Sequence, residues 1–400
     1  MAVASTLREL THPIATTDPD TASTSDLDAL GDLVGDARVV CIGEGDHGIS
    51  QFHQITDRIL RFLVQEKGFT AFALESGFAE GLLVDDWIHG ALGDVGDIAK
   101  RGVTYRFGEC AERHAQLRWM RRWNTSAPHP ITFCGIDVPG SAASPGPAVR
   151  ACLARLPGQA GDDELLARTD LGGHAVAARR YAAMSPSEHA RLRAGIADLA
   201  SRAAVQGDEI ALHCAASARA LDRLITAGSP STRDEFMADT VQRLLGRGHR
   251  VVISAHNGHV QRSPITGRPT LGGLLAPELG SDMVVIATTY GNGPEIHLIP
   301  RSGQPYDWEV SLQRRTPSPT SIEALLNTTG RPIALLDLHA TPTGLLAGAE
   351  HLHAQGTQVP VGDFREAFDA IIHFHDGALV PGVIEKLRAD IEAASDPRGH

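Results

Sequence analysis

Residues 38–54 read RVVCIGEGDHGISQFHQ and place Glu44, Asp46 and His47 in one short turn after an apolar run. A histidine titrates near neutrality and can take a proton from water, and a carboxylate within reach fixes its tautomer and stabilises the imidazolium. Glu44 and His47 are therefore a candidate acid–base pair. The letters GEGDHG also satisfy the dinucleotide pattern G-x-G-x-x-G, which works by turning bare backbone N–H groups and a helix N-terminus toward a diphosphate. Two carboxylates in the loop would oppose that charge at close range, so the acid–base reading is the stronger. Asp46 taken alone reads more simply as the N-cap of a helix starting near Ile49.

Further groups of the same chemistry recur at the ends of other apolar runs. ALESGF delivers Glu75, VVISAHNGHV delivers His256, Asn257 and His259 in a turn, and FCGID delivers Asp137. Separate runs that end in ionisable residues define a site far better than any one of them. Arg58 lies eleven residues beyond His47 on the following helix, where a solvated arginine and a substrate contact are equally good readings. Glu112 heads the stretch ERHAQLRWMRRWN, where a carboxylate suits a helix N-terminus.

Such residues need a rigid frame. Short apolar, β-branched runs at 38–42, 69–74, 131–136, 251–254, 283–288, 332–336 and 370–374 read as buried parallel strands. Between the first two, Ile49, Phe52, Ile55, Ile59, Phe62 and Leu63 recur at helical spacing. Strand, helix, strand implies a right-handed crossover, and an α/β sheet that offers its ligands a place beyond the carboxyl ends of the strands. The fold class expected is α/β: a central, mostly parallel sheet flanked by helices, with a helical insertion acting as a lid. The corresponding division is an N-terminal helical and loop segment (1–36), a first core part (37–148), the insertion (149–246) and a second core part (247–400). The segment GNGPEIHLIPRSGQPYDWEVSLQRRTPSPTS, rich in Pro, Gly and Ser, reads as a long surface loop.

The chain has 400 residues, a formal net charge of −12 and 42% hydrophobic residues. That charge repels nucleic acid and favours a small-molecule partner. Five cysteines without a C-x-x-C pair, no signal-peptide h-region and no apolar run of membrane-spanning length point to a cytoplasmic protein without a membrane partner. Oligomeric state is left open.

Taken together, GEGDHGISQFHQITDR, FTAFALESGFAEG, ERHAQLRWMRRWN, FCGID and SAHNGHV followed by LGGLL resemble the erythromycin esterase family, in the family's order over roughly residues 37–291. The resemblance implies an enzyme that opens an ester or macrolactone by adding water. It further implies that His47 activates the water, that Glu75 and His256 are the other residues most needed, that Glu44 and His259 support them, and that Glu112 lies near the pocket. Gln51 stands where the family commonly has glutamate, Gly45–Asp46 replaces a small uncharged pair, and Thr56 occupies a position that is often basic.

The absence of G-x-S-x-G disfavours a serine nucleophile elbow. For the developing oxyanion the first candidate donor is His256, with Arg58 second. No cofactor is expected, although His47, Glu75, His256 and His259 could also be read as a zinc-like shell. Two other readings remain beside hydrolysis: a biosynthetic enzyme in which a substrate hydroxyl attacks the ester, giving cyclisation or acyl transfer, and a binding protein that kept the fold. So many buried ionisable groups argue against the last.

Overall fold

A computed structural model describes residues 2–172, 174–229, 231–301 and 308–395. Its strands are β1 (Thr11–Pro13), β2 (Val39–Glu44), β3 (Ala71–Gly77), β4 (Thr132–Asp137), β5 (Val251–His256), β6 (Met283–Pro300), β7 (Trp308–Arg315), β8 (Ile333–Asp337), β9 (His351–Ala354), β10 (Thr357–Pro360) and β11 (Ala370–Asp376). The main sheet runs β1-β8-β11-β6-β2-β5-β3-β4, and every pairing from β11 to β4 is parallel. The expected mostly parallel α/β sheet is what forms.

The central strands are buried on both faces, which is why their sequences are apolar without alternation. On one face the helix Ser50–Lys67 inserts Phe52, Ile55, Ile59 and Leu63, and it ends at Gly68 in the left-handed conformation. On the other face the helix Ser231–Gly246 packs Met237, Val241 and Leu244 against Val39, Cys41 and Ile253. Between β4 and β5 come the helices Gly146–Leu153, Asp162–Thr169, His174–Ala182, Pro186–Gln206 and Glu209–Ala227, with a core of their own built on Val149, Cys152, Leu192, Ile196 and Leu199. Among the described residues, no helix is long and apolar enough to cross a membrane.

Three expectations need correction. The run at 332–336 does form a strand, but β8 is antiparallel to both β11 and β1, because an apolar run records burial and not direction. The N-terminal segment is more than helix and loop, since Thr11–Pro13 closes one edge of the sheet. The segment after Gly291 is not a loop. There β6 continues past the core and pairs antiparallel with β7, from Gly293↔Arg315 to Pro300↔Trp308. Its prolines misled because a two-stranded ribbon tolerates a missing N–H, whereas Ile296 and Leu298 opposite Leu312 and Val310 carry the alternation of a strand. Residues 302–307 of that segment lie outside the described residues.

Candidate active site

Strand register creates the site. In the β2–β5 pairing Glu44 lies beside His256, and the adjacent β3 brings Glu75 to the same carboxyl-end rim. At the end of β2 the backbone passes so close to the next segment that a Cβ on Gly43 would sit 2.1 Å from the side-chain oxygen of Asn257, and in the turn that follows Gly48 adopts φ +81. These two glycines serve packing and backbone geometry, not a phosphate. The first N–H of the next helix, at Ser50, is already taken by the carbonyl of Ala378.

His47 projects from this turn. Its Nδ1 is hydrogen-bonded to Glu44, and its ring lies 5.0 Å from that of Phe107 and stacks at 5.9 Å on that of Tyr105. Nε2 has no hydrogen-bond partner among the described residues, and the side chain is 28% exposed, enough for a reactant to reach it. Burial disfavours the imidazolium, but the Glu44 carboxylate outweighs it and holds the pKa above the ordinary value. Glu44 is lowered in turn, its own burial being overcome by His47.

Glu75 is 2% exposed and fully engaged. One oxygen accepts from Arg233 at 2.7 Å and lies 3.4 Å from Nε2 of His259, and the other accepts the backbone N–H of His256 at 2.7 Å. Burial would raise this carboxyl, yet His259 and Arg233 hold it well below the usual range. His259 lies between Glu75 and Asp234, with Nδ1 to Asp234 at 2.7 Å, on the short helical turn Asn257–Val260 that follows β5. Against its burial, Glu75 pushes its pKa up to about 9, so it is an imidazolium at neutral pH.

His256 is different. Its Nδ1 accepts the N–H of Gly258 at 3.1 Å, which leaves the proton on Nε2 to be donated to the carbonyl of Gly45 at 3.1 Å. Burial and the neighbouring His47 push its pKa down to about 4, and it is neutral. The ring lies 5.3 Å from that of His47.

These groups open into a cavity of about 1460 Å³ beyond the strand ends. Gly172 and Val176 of the helical segment, Ile296, Leu298 and Trp308 of the β6–β7 ribbon, and Val383 and Leu387 of the C-terminal helix Val383–Ser395 complete its walls. Among the described residues, no group of three or more His, Cys, Asp or Glu is arranged to hold a metal ion. Both ring nitrogens of His256 are engaged by backbone groups in this arrangement.

The structure thus brings Glu44, His47, Glu75, His256 and His259 together; of the four other expected residues, Asp137 sits behind Arg233, and Arg58, Asn257 and Glu112 do not line the cavity. Arg58 is 3% exposed and faces the N-terminal segment, paired with Asp26 at 2.6 and 2.9 Å and with the carbonyls of Thr16 and Ser23. Asn257 is buried and donates to the carbonyl of Thr288 at 2.9 Å, tying β5 to β6. Asp137 is fully buried, and both its oxygens accept from Arg233, at 2.9 and 2.6 Å. Glu112 accepts from the Ser50 hydroxyl at 3.0 Å on the helix Ala111–Ser126 and does not line the cavity. Asp46 caps nothing: the N-cap position is Ile49, and the Asp46 carboxylate is buried against Arg315.

Sequence reasoning missed Arg233, Asp234, Tyr105 and Phe107. The first two sit in STRDEF, at the opening turn of the helix that returns the chain to β5. An Arg–Asp pair where an insertion re-enters the core was the available signal. Tyr105, at φ +55, and Phe107 carry none, because a left-handed tyrosine in a loop is visible only in three dimensions.

Comparison with known proteins gives a consistent result. The family model for erythromycin esterase matches residues 64–377, and so begins after the His47 turn. Erythromycin esterase type II of Escherichia coli is 26% identical over 401 residues, covering 90% of this chain and 94% of the relative. Type I from the same organism is 22% identical over 400 residues, covering 88% and 94%. Among solved structures, a succinoglycan biosynthesis protein superposes with a TM-score of 0.76 at 19% identity, over 94% of this chain and 97% of its own. A mutant of erythromycin esterase EreC in its open conformation gives 0.71 at 20% identity, over 91% and 96%.

Proposed function

Since the chain belongs to the erythromycin esterase family, we propose that it hydrolyses a carboxylic ester or macrolactone by direct attack of water, with His47 as the base. The observation that carries this reading is the His47–Glu44 pair, with Nε2 unengaged among the described residues and open to a cavity larger than the ~300–1000 Å³ usual for small-molecule sites. That size suits a macrocyclic substrate, as the names of the curated relatives also suggest.

Water held at Nε2 gives up its proton to His47 as its oxygen bonds to the ester carbon, and Glu44 stabilises the resulting imidazolium. The carbonyl oxygen becomes an oxyanion. With Nε2–H of His256 bonded to Gly45, the donor expected at that position passes to the cationic pair His259 and Arg233, which face the cavity and are held in place by Glu75, Asp234 and Asp137. When the tetrahedral adduct collapses, the C–O bond to the leaving oxygen breaks and His47 returns the proton to that oxygen. A simple ester gives an acid and an alcohol, and a lactone gives one hydroxy acid.

The helical segment over the cavity would act as the lid that excludes bulk water. Five buried, unpaired cysteines support a reducing, cytoplasmic setting. The test is a mass-spectrometric screen of lactone and ester natural products, erythromycin first, for the gain of one water. A product of unchanged mass would instead indicate attack by a hydroxyl of the substrate. Activity is expected to survive exhaustive chelation, and its loss with recovery on adding a divalent metal would replace His47 with metal-activated water.

A further inference from the structure

Asp46 and Arg315 take no part in the steps above, yet they form a buried ion pair beside them. The Arg315 side chain is fully buried and Asp46 is 6% exposed. Arg315 comes from the far end of β7. Its guanidinium bonds to Asp46, donates from Nε to Glu295 at 2.8 Å, and lies 3.9 Å above the Tyr290 ring. The other Asp46 oxygen accepts the backbone N–H of Gln355, a residue in the β9–β10 turn with φ +49. One carboxylate thus joins the His47 turn to two hairpins, and Ile296, Leu298, Trp308 and Gln355 of those hairpins line the cavity.

We propose that Asp46 is a positioning residue: clamped by Arg315 and the Gln355 amide, it fixes the turn so that Nε2 of His47 faces the cavity, and it docks the two hairpin walls against the same turn. Geometry favours this over a packing role, because the carboxylate uses both oxygens on segments distant in sequence and none on its own helix. Burial pushes its pKa up to about 6, and Arg315 is the principal group opposing that rise. Removing the carboxylate alone would leave the buried Arg315 with Glu295 as its remaining anionic partner, so the near-isosteric amide is the milder probe of the latch.

The proposal rests on His47 being the base, and its test separates the two. In near-isosteric Asp46→Asn, kcat on erythromycin, or on the ester returned by the water-gain screen, should fall about tenfold, and in Asp46→Ala about a hundredfold, as expected when a reacting group is slightly misplaced. KM should stay within about twofold, and the acid limb of the rate profile should not move, because the partner that sets the His47 pKa is Glu44. Hydrogen–deuterium exchange supplies a readout that needs no substrate: in Asp46→Asn the amides of residues 44–49 and of Gln355 should exchange at least about tenfold faster, with the central strands unchanged. Unaltered exchange, or wild-type kcat in a folded Asp46→Ala protein, would overturn the latch. With His47→Ala inactive and Asp46→Asn unimpaired, only the latch fails, whereas activity surviving in His47→Ala removes the base and the latch together.

Discussion

The two histidine-bearing turns, after β2 and after β5, lie side by side and engage their rings in opposite ways. His47 bonds to one carboxylate through one nitrogen, and its other nitrogen has no partner among the described residues. His256 gives both nitrogens to backbone groups, and burial with the neighbouring His47 pushes its pKa down to about 4. Under the proposed mechanism, rings 5.3 Å apart would divide into a reacting base and a strut that holds the turn of the first.

The sharpest way to break this contrast is His47→Ala, which should lower kcat by roughly 10²–10⁴ with an unchanged circular dichroism spectrum. Retained turnover would remove the assignment. Glu75→Gln comes next, with a loss of about a hundredfold, because Arg233 and His259 lose the carboxylate that aims them; a mild effect would reduce Glu75 to a structural part.

The pH profile tests the same contrast from the side of charge. Only neutral His47 can accept a proton, and its pKa is raised, so kcat should fall as pH drops through a value above the ordinary ~6.5. Glu44→Gln removes the group that raises it, leaves burial dominant, and should shift that limb to lower pH. An unmoved limb would mean that another group titrates there. His256→Asn should cost less, about tenfold in kcat, since a support is loosened and no proton transfer is lost. Smallest of all, Arg58→Ala should change turnover per folded molecule by less than about twofold while lowering thermal stability by ~2 kcal/mol, because Asp26 loses its partner. A large loss of kcat there would return Arg58 to the site.

The sequence revealed the parts of this arrangement that strand ends carry. Glu44, Glu75 and His256 follow or finish apolar runs, and a parallel sheet must bring such ends to one rim. Arg58 and Asn257 were misread because a polar residue near a motif looks the same whether it turns toward substrate or toward its own scaffold. Arg233 and Arg315 were missed for a different reason. Each acts across a distance of 96 residues or more in the chain, on Asp137 and Asp46, and single-sequence patterns record neighbours and not partners.

The β6–β7 ribbon carries one last implication. β6 keeps its partners in the sheet only as far as Asn292, and from Gly293 onward it is paired with β7 alone. Insertions or deletions toward the tip of that ribbon would therefore resize the chamber without disturbing the strands that hold the acid–base groups. Variation in the range of accepted molecules should accumulate there, and laboratory evolution for new substrates has its natural starting point at the same place.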